Sequence, residues 1–249
     1  RIAPRSVAEV DVTFLPLVER AEVQRGVLTL SCPELGAYVY SLELTAQRAR
    51  LERTIHFSTP LGRSHTQTAR LTMFPRSTEQ SAEFTCEVGS GKAERESDAF
   101  SVERTLTVRP APKPTDGVEV PVEVHFEPCA VGEAHATLTV RHDTLGSYVL
   151  PLVGIATTPK PQGPIVIRSG ESRQVKFKNV LSHAASFAYR LDSPFFSLSS
   201  SGERLDAKKE TTITLSYNPS AAGVKAVGRL VIAVQDRTAV QWIYYLSGV

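Results

Sequence analysis

The chain predicts an all-β fold, immunoglobulin-like β-sandwich modules arranged in tandem, and three observations carry that prediction. An aromatic-x-Pro step occurs three times, at Phe14-Leu15-Pro16, Phe126-Glu127-Pro128 and Tyr217-Asn218-Pro219. Each copy runs on to a closing strand, Gly36–Ala46, Gly146–Ala156 and Trp242–Val249, and the spans from aromatic to last residue are 32, 30 and 32 positions. Such self-similarity is the mark of one repeated unit. Apolar residues alternate with polar ones at period two, as half-buried strands require, while helical periodicity is nearly absent. Finally, 15 glycines and 16 prolines punctuate the alternating runs as turn signals. A sandwich of this type takes about 100 residues, so 249 residues suit two of them and part of a third.

Residues 1–49 hold only the closing part of a module, with strands expected near Glu9–Phe14, Gly26–Leu30 and Tyr38–Leu44. Three strands leave an apolar face without its opposing sheet. The expectation is that this piece docks on the next module or is completed by upstream sequence. Arg1 stands inside a repeat already under way, which reads as a segment of a longer protein.

Residues 50–158 form the second unit. Its strands are expected near Thr54–Phe57, Ala69–Phe74, Ala82–Val88, Ser101–Val108, Val118–Phe126, Ala136–Arg141 and Tyr148–Val153. The alternation is clearest where Val118, Val120, Val122, Val124 and Phe126 interleave with Glu119, Pro121, Glu123 and His125. The charged Gly/Ser-rich stretch 89–98 is expected to be a solvent loop, and Arg109-Pro110-Ala111-Pro112-Lys113-Pro114 an extended polyproline-like chain.

Residues 159–249 form the third unit, with strands expected at Ile165–Ile167, Arg173–Lys178, Ser186–Leu191, Phe196–Leu198, Thr211–Tyr217, Gly228–Val234 and Val240–Leu246. The link Thr157–Pro164 carries three prolines in eight residues. That composition favours a stiff spacer, and the expectation is a rod of modules with limited bending.

Composition narrows the function classes. Hydrophobic residues at 41% and charged residues at 22% describe a folded globular chain. No apolar run reaches the roughly 18 residues of a membrane helix, and no basic-then-apolar leader opens the sequence. Cys32, Cys86 and Cys129 are odd in number and form no C-x-x-C pair, so zinc ribbons and dithiol redox sites are not expected. All three read as buried free thiols behaving as small hydrophobes. With no N-x-S/T sequon, this favours a reducing, cytoplasmic compartment.

No G-x-S-x-G elbow, phosphate loop or H-E-x-x-H helix is present. The sequence therefore names no catalytic residue, no metal ligand and no cofactor. His125, His135 and His142 share one module, and His125 is expected to point outward beside Glu123. Ser169-Gly170-Glu171-Ser172 reads as a turn rather than a nucleophile. In Phe195-Phe196 and Tyr244-Tyr245, one ring of each pair is expected inside and its neighbour outside.

Charge is uneven. Residues 1–49 carry 5 basic and 6 acidic side chains, residues 50–161 carry 12 and 14, and residues 162–249 carry 11 and 6, so the last unit alone is net +5. Lys176 and Lys178 alternate with Val175 and Phe177 and share a solvent face. Arg190 is expected outward on the next strand, and with Arg173 the four would form a basic stripe across one sheet. Such a stripe is either a solvated face that protects an edge or a contact for an anionic protein partner. Nucleic acid is not expected, because no aromatic interleaving accompanies the charge.

The string Val175–Asn179, Phe187–Leu191, Phe196–Leu198 and Leu205–Lys209 resembles the ASH, or major-sperm-protein-type, family of immunoglobulin-like domains. The closing pattern Phe126-x-Pro128, Gly146-x-Tyr148, Leu150-Pro151-Leu152 and Gly154 is similar to hydin-type modules in particular. The link Pro159–Ile165, running into Phe177–Val180, is similar to a member of that family from the axonemal central apparatus. The resemblance implies a non-catalytic scaffold in the axoneme of a cilium or flagellum, contacting other central-apparatus proteins or tubulin and supporting motility. It implies no membrane and no small-molecule substrate. The alternative it offers is an adaptor that captures acidic peptides. The sequence departs from the pattern in two places: the middle module has Leu71-Thr72-Met73-Phe74 where the Lys-Asn step would stand, and the last ends in Ser247-Gly248 without Leu-Pro-Leu.

Overall fold

The computed structural model describes residues 6–16, 20–46, 53–75, 79–90, 97–113, 116–219, 224–235 and 237–249. Residues 55–157 contribute eight strands: β3 (Ile55–Pro60), β4 (His65–Met73), β5 (Ala82–Ser90), β6 (Phe100–Val102), β7 (Thr105–Val108), β8 (Val118–Phe126), β9 (Gly132–His142) and β10 (Gly146–Thr157). Residues 162–248 contribute β11 (Gln162–Ile167), β12 (Ser172–Lys178), β13 (Ala185–Leu191), β14 (Phe196–Leu198), β15 (Gly202–Leu205), β16 (Glu210–Tyr217), β17 (Ala226–Val234) and β18 (Arg237–Gly248). β1 (Arg20–Cys32) and β2 (Gly36–Ala46) precede them as a separate hairpin.

The two eight-strand units have the same topology. One sheet of each runs β3-β10-β9-β5-β7 or β11-β18-β17-β13-β15, and the other β4-β8-β6 or β12-β16-β14. In both, the first strand pairs parallel to the last, β3 with β10 and β11 with β18, while the remaining pairs are antiparallel. Each unit is therefore an immunoglobulin-like sandwich of five strands on three, and its core lies between the inward faces of the two sheets.

The repeated aromatic has a structural reason. Phe126 at the end of β8 packs on Phe100 at 4.8 Å between ring centroids, and Tyr217 at the end of β16 packs on Phe196 at 5.1 Å. Each ring also lies on a glycine of the closing strand. A Cβ on Gly154 would stand 2.3 Å from the Phe126 ring, and one on Gly248 2.4 Å from the Tyr217 ring. The aromatic and the glycine are the two halves of one contact across the sandwich, and they occur together in both sandwiches, whereas Leu44 stands at the place of Gly154 in the first hairpin.

Several strands differ from the sequence expectation. Ser101–Val108 is not one strand: β6 pairs with β8 while β7 pairs with β5, so the chain changes sheets at Glu103-Arg104. Gly202–Leu205 forms a strand that the alternation did not show, because its four residues join β13 at the sheet edge. Residues 6–16 adopt no regular structure, which removes the expected strand Glu9–Phe14. The position of Glu9–Phe14 in the repeat is that of β8, whose partners are β4 and β6, and among the described residues no strand pairs with 6–16 in that way. The strands expected at Gly26–Leu30 and Tyr38–Leu44 are present within β1 and β2. Of the loop expected over 89–98, Gly89 and Ser90 belong to β5, Ser97 and Asp98 to a short 3-10 turn, and 91–96 lie outside the described residues.

The first hairpin matches β9–β10 turn for turn. Cys32 faces Gly36 across Pro33-Glu34-Leu35, as His142 faces Gly146 across Asp143-Thr144-Leu145, and both glycines have positive φ, 86° and 90°. Its inward side is open, however: Tyr40 is 52% exposed, whereas Leu150 at the same place in the middle sandwich is 2% exposed.

Candidate protein-contact site at the module joint

The four basic residues do not form one stripe. β12 belongs to the three-strand sheet and β13 to the five-strand sheet, so Arg190 lies on the opposite outer face from Lys176 and Lys178. Arg173 shares the parity of the buried Val175 and Phe177 and is exposed only because it stands at the strand's start. Strands consecutive in sequence are not neighbours in one sheet at this point, because the chain crosses between sheets after β12. What remains is Lys176 and Lys178, side by side on the outer face of β12, and they come together with residues from the other sandwich.

The turn after β3 reaches into the last sandwich. Leu61 is 2% exposed and is part of the core formed by Phe177, Phe187 and Trp242. Its backbone N–H donates to the Thr157 carbonyl at 2.9 Å, which ties the turn to the end of β10. Gly62 follows with φ of +89°, and a Cβ there would stand 3.3 Å from the Trp242 Nε1. Beside this plug, Glu127 accepts from Lys178 Nζ at 3.1 Å and lies 3.8 Å from Lys208 Nζ. Exposed pairs of this kind contribute about 0–1 kcal/mol, while burying a leucine contributes about 1.5–3 kcal/mol. Leu61 thus supplies the larger stabilisation of the joint, and Glu127 with its two lysines fixes its orientation.

An open groove of about 470 Å³ borders the joint, lined by Arg63 of the middle sandwich and by Lys176, Lys178, Trp242 and Tyr244 of the last. Burial raises the Tyr244 phenol above its ordinary value, and the nearby Arg63 charge acts in the opposite direction. Tyr244 and Tyr245 divide as expected, the first buried and the second exposed; Phe196 is likewise inside and Phe195 half-buried.

Elsewhere the polar groups serve the fold. Asn179 makes four hydrogen bonds: its Nδ2 donates to the carbonyls of His183, Leu205 and Asp206 at 3.0–3.1 Å, and its Oδ1 accepts from the Leu181 N–H at 3.0 Å. Asp192 accepts from the Arg229 backbone N–H and from its Nε, both at 2.6 Å; these bonds hold its carboxyl below the usual range. His125 points outward, 3.9 Å from Glu123 and 2.7 Å from the Thr66 hydroxyl. Among the described residues, no group of three or more His, Cys, Asp or Glu side chains is placed to hold a metal. Ser169-Gly170-Glu171 is a turn, with Gly170 at φ of +77° and its N–H donating to the Tyr217 carbonyl. All three cysteines are free. Only Cys86 is buried, which with the nearby Glu103 pushes its thiol up; Cys32 and Cys129 are half-buried, correcting the expectation of three core thiols. Cys129 lies at the joint, with Lys208 Nζ 3.2 Å from its sulfur.

No family model matches the chain. It is 34% identical over 254 residues to the hydrocephalus-inducing protein of Mus musculus, an alignment that covers all of this chain and 5% of that protein. It is 36% identical over 242 residues to the Homo sapiens homolog, covering 95% of this chain and 4% of the other. The chain therefore spans about one twentieth of the length of these curated relatives, and its likeness to them extends from end to end. Among solved structures, an ASH / PapD-like domain of human CEP192 matches 36% of this chain and 80% of its own length, with 12% identity and a TM-score of 0.27. The D00-D0 domain of Intimin matches 74% of this chain and all of its own, with 9% identity and a TM-score of 0.32. Superpositions this loose add nothing to the strand pairing described above.

Proposed function

We propose that this chain is a non-catalytic scaffold segment of a ciliary or flagellar axonemal protein, making protein contacts that hold a central-apparatus assembly together and so support motility. Its modules on this reading are residues 50–158 and 159–249, preceded by the closing part of another in residues 1–49. The observation that carries the reading is the joint: two sandwiches of one topology share a buried leucine and a bridged carboxylate. A buried joint resists bending, so the pair transmits position along the array and presents its outer faces and strand edges as contact surface. The axonemal part of the proposal rests on the hydin-type motifs and on whole-chain likeness to hydrocephalus-inducing proteins. The finer kinship with cilia- and flagella-associated protein 47 has only Pro159–Ile165 and Phe177–Val180 behind it, so the proposal stands at the level of the hydin-like family.

Tagging the full-length parent protein in a ciliated cell tests the reading. Signal along the axoneme is the expected outcome, and signal confined to membranes or nucleus would sink it. The second reading, an adaptor for acidic peptides, is favoured by one observation: Lys176 is exposed on β12 and makes no ion pair among the described residues. A Lys176→Glu, Lys178→Glu double variant separates the two. Loss of acidic-peptide binding would favour the adaptor; unchanged binding leaves the scaffold alone.

A further inference from the structure

The outer face of the five-strand sheet in the last sandwich carries an apolar strip that the middle sandwich lacks. Along β17 the outward side chains include Val227, Val231 and Ala233. β18 sets Ile243 directly across from Val231 and Tyr245 across from Arg229. Val227 is 80% exposed and Tyr245 46%. Arg229 is the one charged residue in the strip, and Asp192 holds its Nε at 2.6 Å, so no free charge is left there. Ser247 and Gln241 lie at the two ends. At the places of Val227, Arg229, Val231 and Ala233 the middle sandwich has His135, Thr137, Thr139 and Arg141 on β9. One topology carries both faces, so the fold does not ask for the apolar one. A contiguous exposed apolar surface of this kind marks a contact.

We propose that this strip seats an amphipathic helix of a neighbouring protein. β17 and β18 lie inside their sheet, each with a ladder on either side, so the face offers side chains and no backbone groups. Its occupant therefore satisfies its own backbone. A second sheet would also cover the neighbouring strands, where Arg190 on β13 and Arg204 on β15 stand exposed, and burying those charges unpaired is costly. Two strands span about 10 Å, which suits one helix of about 10–12 Å diameter. From Val227 to Ala233 the strip runs about 20 Å, a length of about 13 helical residues. Arg190 faces Val231 across the ladder and makes no ion pair among the described residues, so it complements a single carboxylate on that flank of the helix. Apolar contact carries the affinity. The inference rests on the reading of outer faces as contact surface and adds which face is used and what kind of element it takes.

The test is photocross-linking in the full-length parent protein, in the cell that makes it. A benzophenone side chain is placed in turn at Val227, Val231 and Ala233, and for comparison at His135 and Thr139 on β9. The strip positions are expected to bond to one partner segment, at residues spaced three or four apart, while the β9 positions give about tenfold less of that product. The Val227→His, Val231→Thr double variant gives the strip residues that the middle sandwich already accommodates. It should lower the product from Ala233 about tenfold, and its melting temperature shows that the sandwich still folds. Attachment at every second residue, as on a strand, overturns the proposal. So does attachment to lipid, to no protein at all, or equally from β9, and so does a double variant that folds and cross-links unchanged. Helical spacing in a parent protein found away from the axoneme would uphold this site and remove the axonemal reading.

Discussion

At the scale of one residue, Asn179 shows how a polar side chain can hold a sandwich together. It is fully buried, and its amide fastens the segment after β12 to the end of β15 and the residue that follows, through the carbonyls of Leu205 and Asp206. Removing the amide takes away the buried bonds to the Leu205 carbonyl and from the Leu181 N–H, while the Asp206 carbonyl keeps the Lys209 N–H. Net contributions near 1 kcal/mol per bond, and more where a buried partner is left unsatisfied, set the scale. Asn179→Ala is therefore expected to destabilise the last sandwich by about 3 kcal/mol, seen as a lower urea midpoint at an unchanged slope. The Lys-Asn step was legible in the sequence as a motif. Its role was not, because the groups it satisfies lie 26 and 27 residues further along the chain.

At the scale of elements, the aromatic-glycine contact ties the ends of two strands in opposite sheets. Gly154 leaves room for the Phe126 ring, and a Cβ there has no way to avoid it without moving β10 or the ring. Gly154→Ala is expected to cost about 2 kcal/mol through overpacking. Phe126→Leu in the same chain should recover part of that loss, a non-additivity that a double-mutant cycle measures. The sequence showed the aromatic three times and placed β8, β12, β14 and β16 to within a residue or so, since alternation along a strand depends on local side chains alone. It missed β15 and ran β6 into β7, because four residues are too few for a pattern and a change of sheet leaves no local trace. It also put Arg190 beside Lys176: a period-two pattern says which side of a strand faces the core, not which sheet the strand has joined.

At the scale of the whole molecule, the joint ties the two sandwiches together through one buried side chain. Leu61 belongs by sequence to the middle unit and by packing to the core of the last. Leu61→Asp would place a charge against Trp242 and Phe177, at a cost of about 3 kcal/mol or more. The expected outcome is a lower melting temperature for the last sandwich, and two separate calorimetric transitions in place of the coupled unfolding that the joint predicts for the parent chain. A single unshifted transition would mean that the joint contributes nothing. Breaking the Glu127 pairs by Glu127→Gln should move melting far less, since both lysines and the carboxylate remain partly in water.

The sequence by itself determined most of the strands, their inward faces and the repetition of one unit, because these follow from side-chain periodicity, turn residues and the recurring aromatic. Tertiary structure alone decided which strands share a sheet, which lysines meet, and that Leu61 and Glu127 of one sandwich complete the surface of the next. Those contacts join residues a hundred or more positions apart in some cases, Leu61 with Trp242 among them, and a pattern read along a strand holds no information about what packs against it from a distant part of the chain.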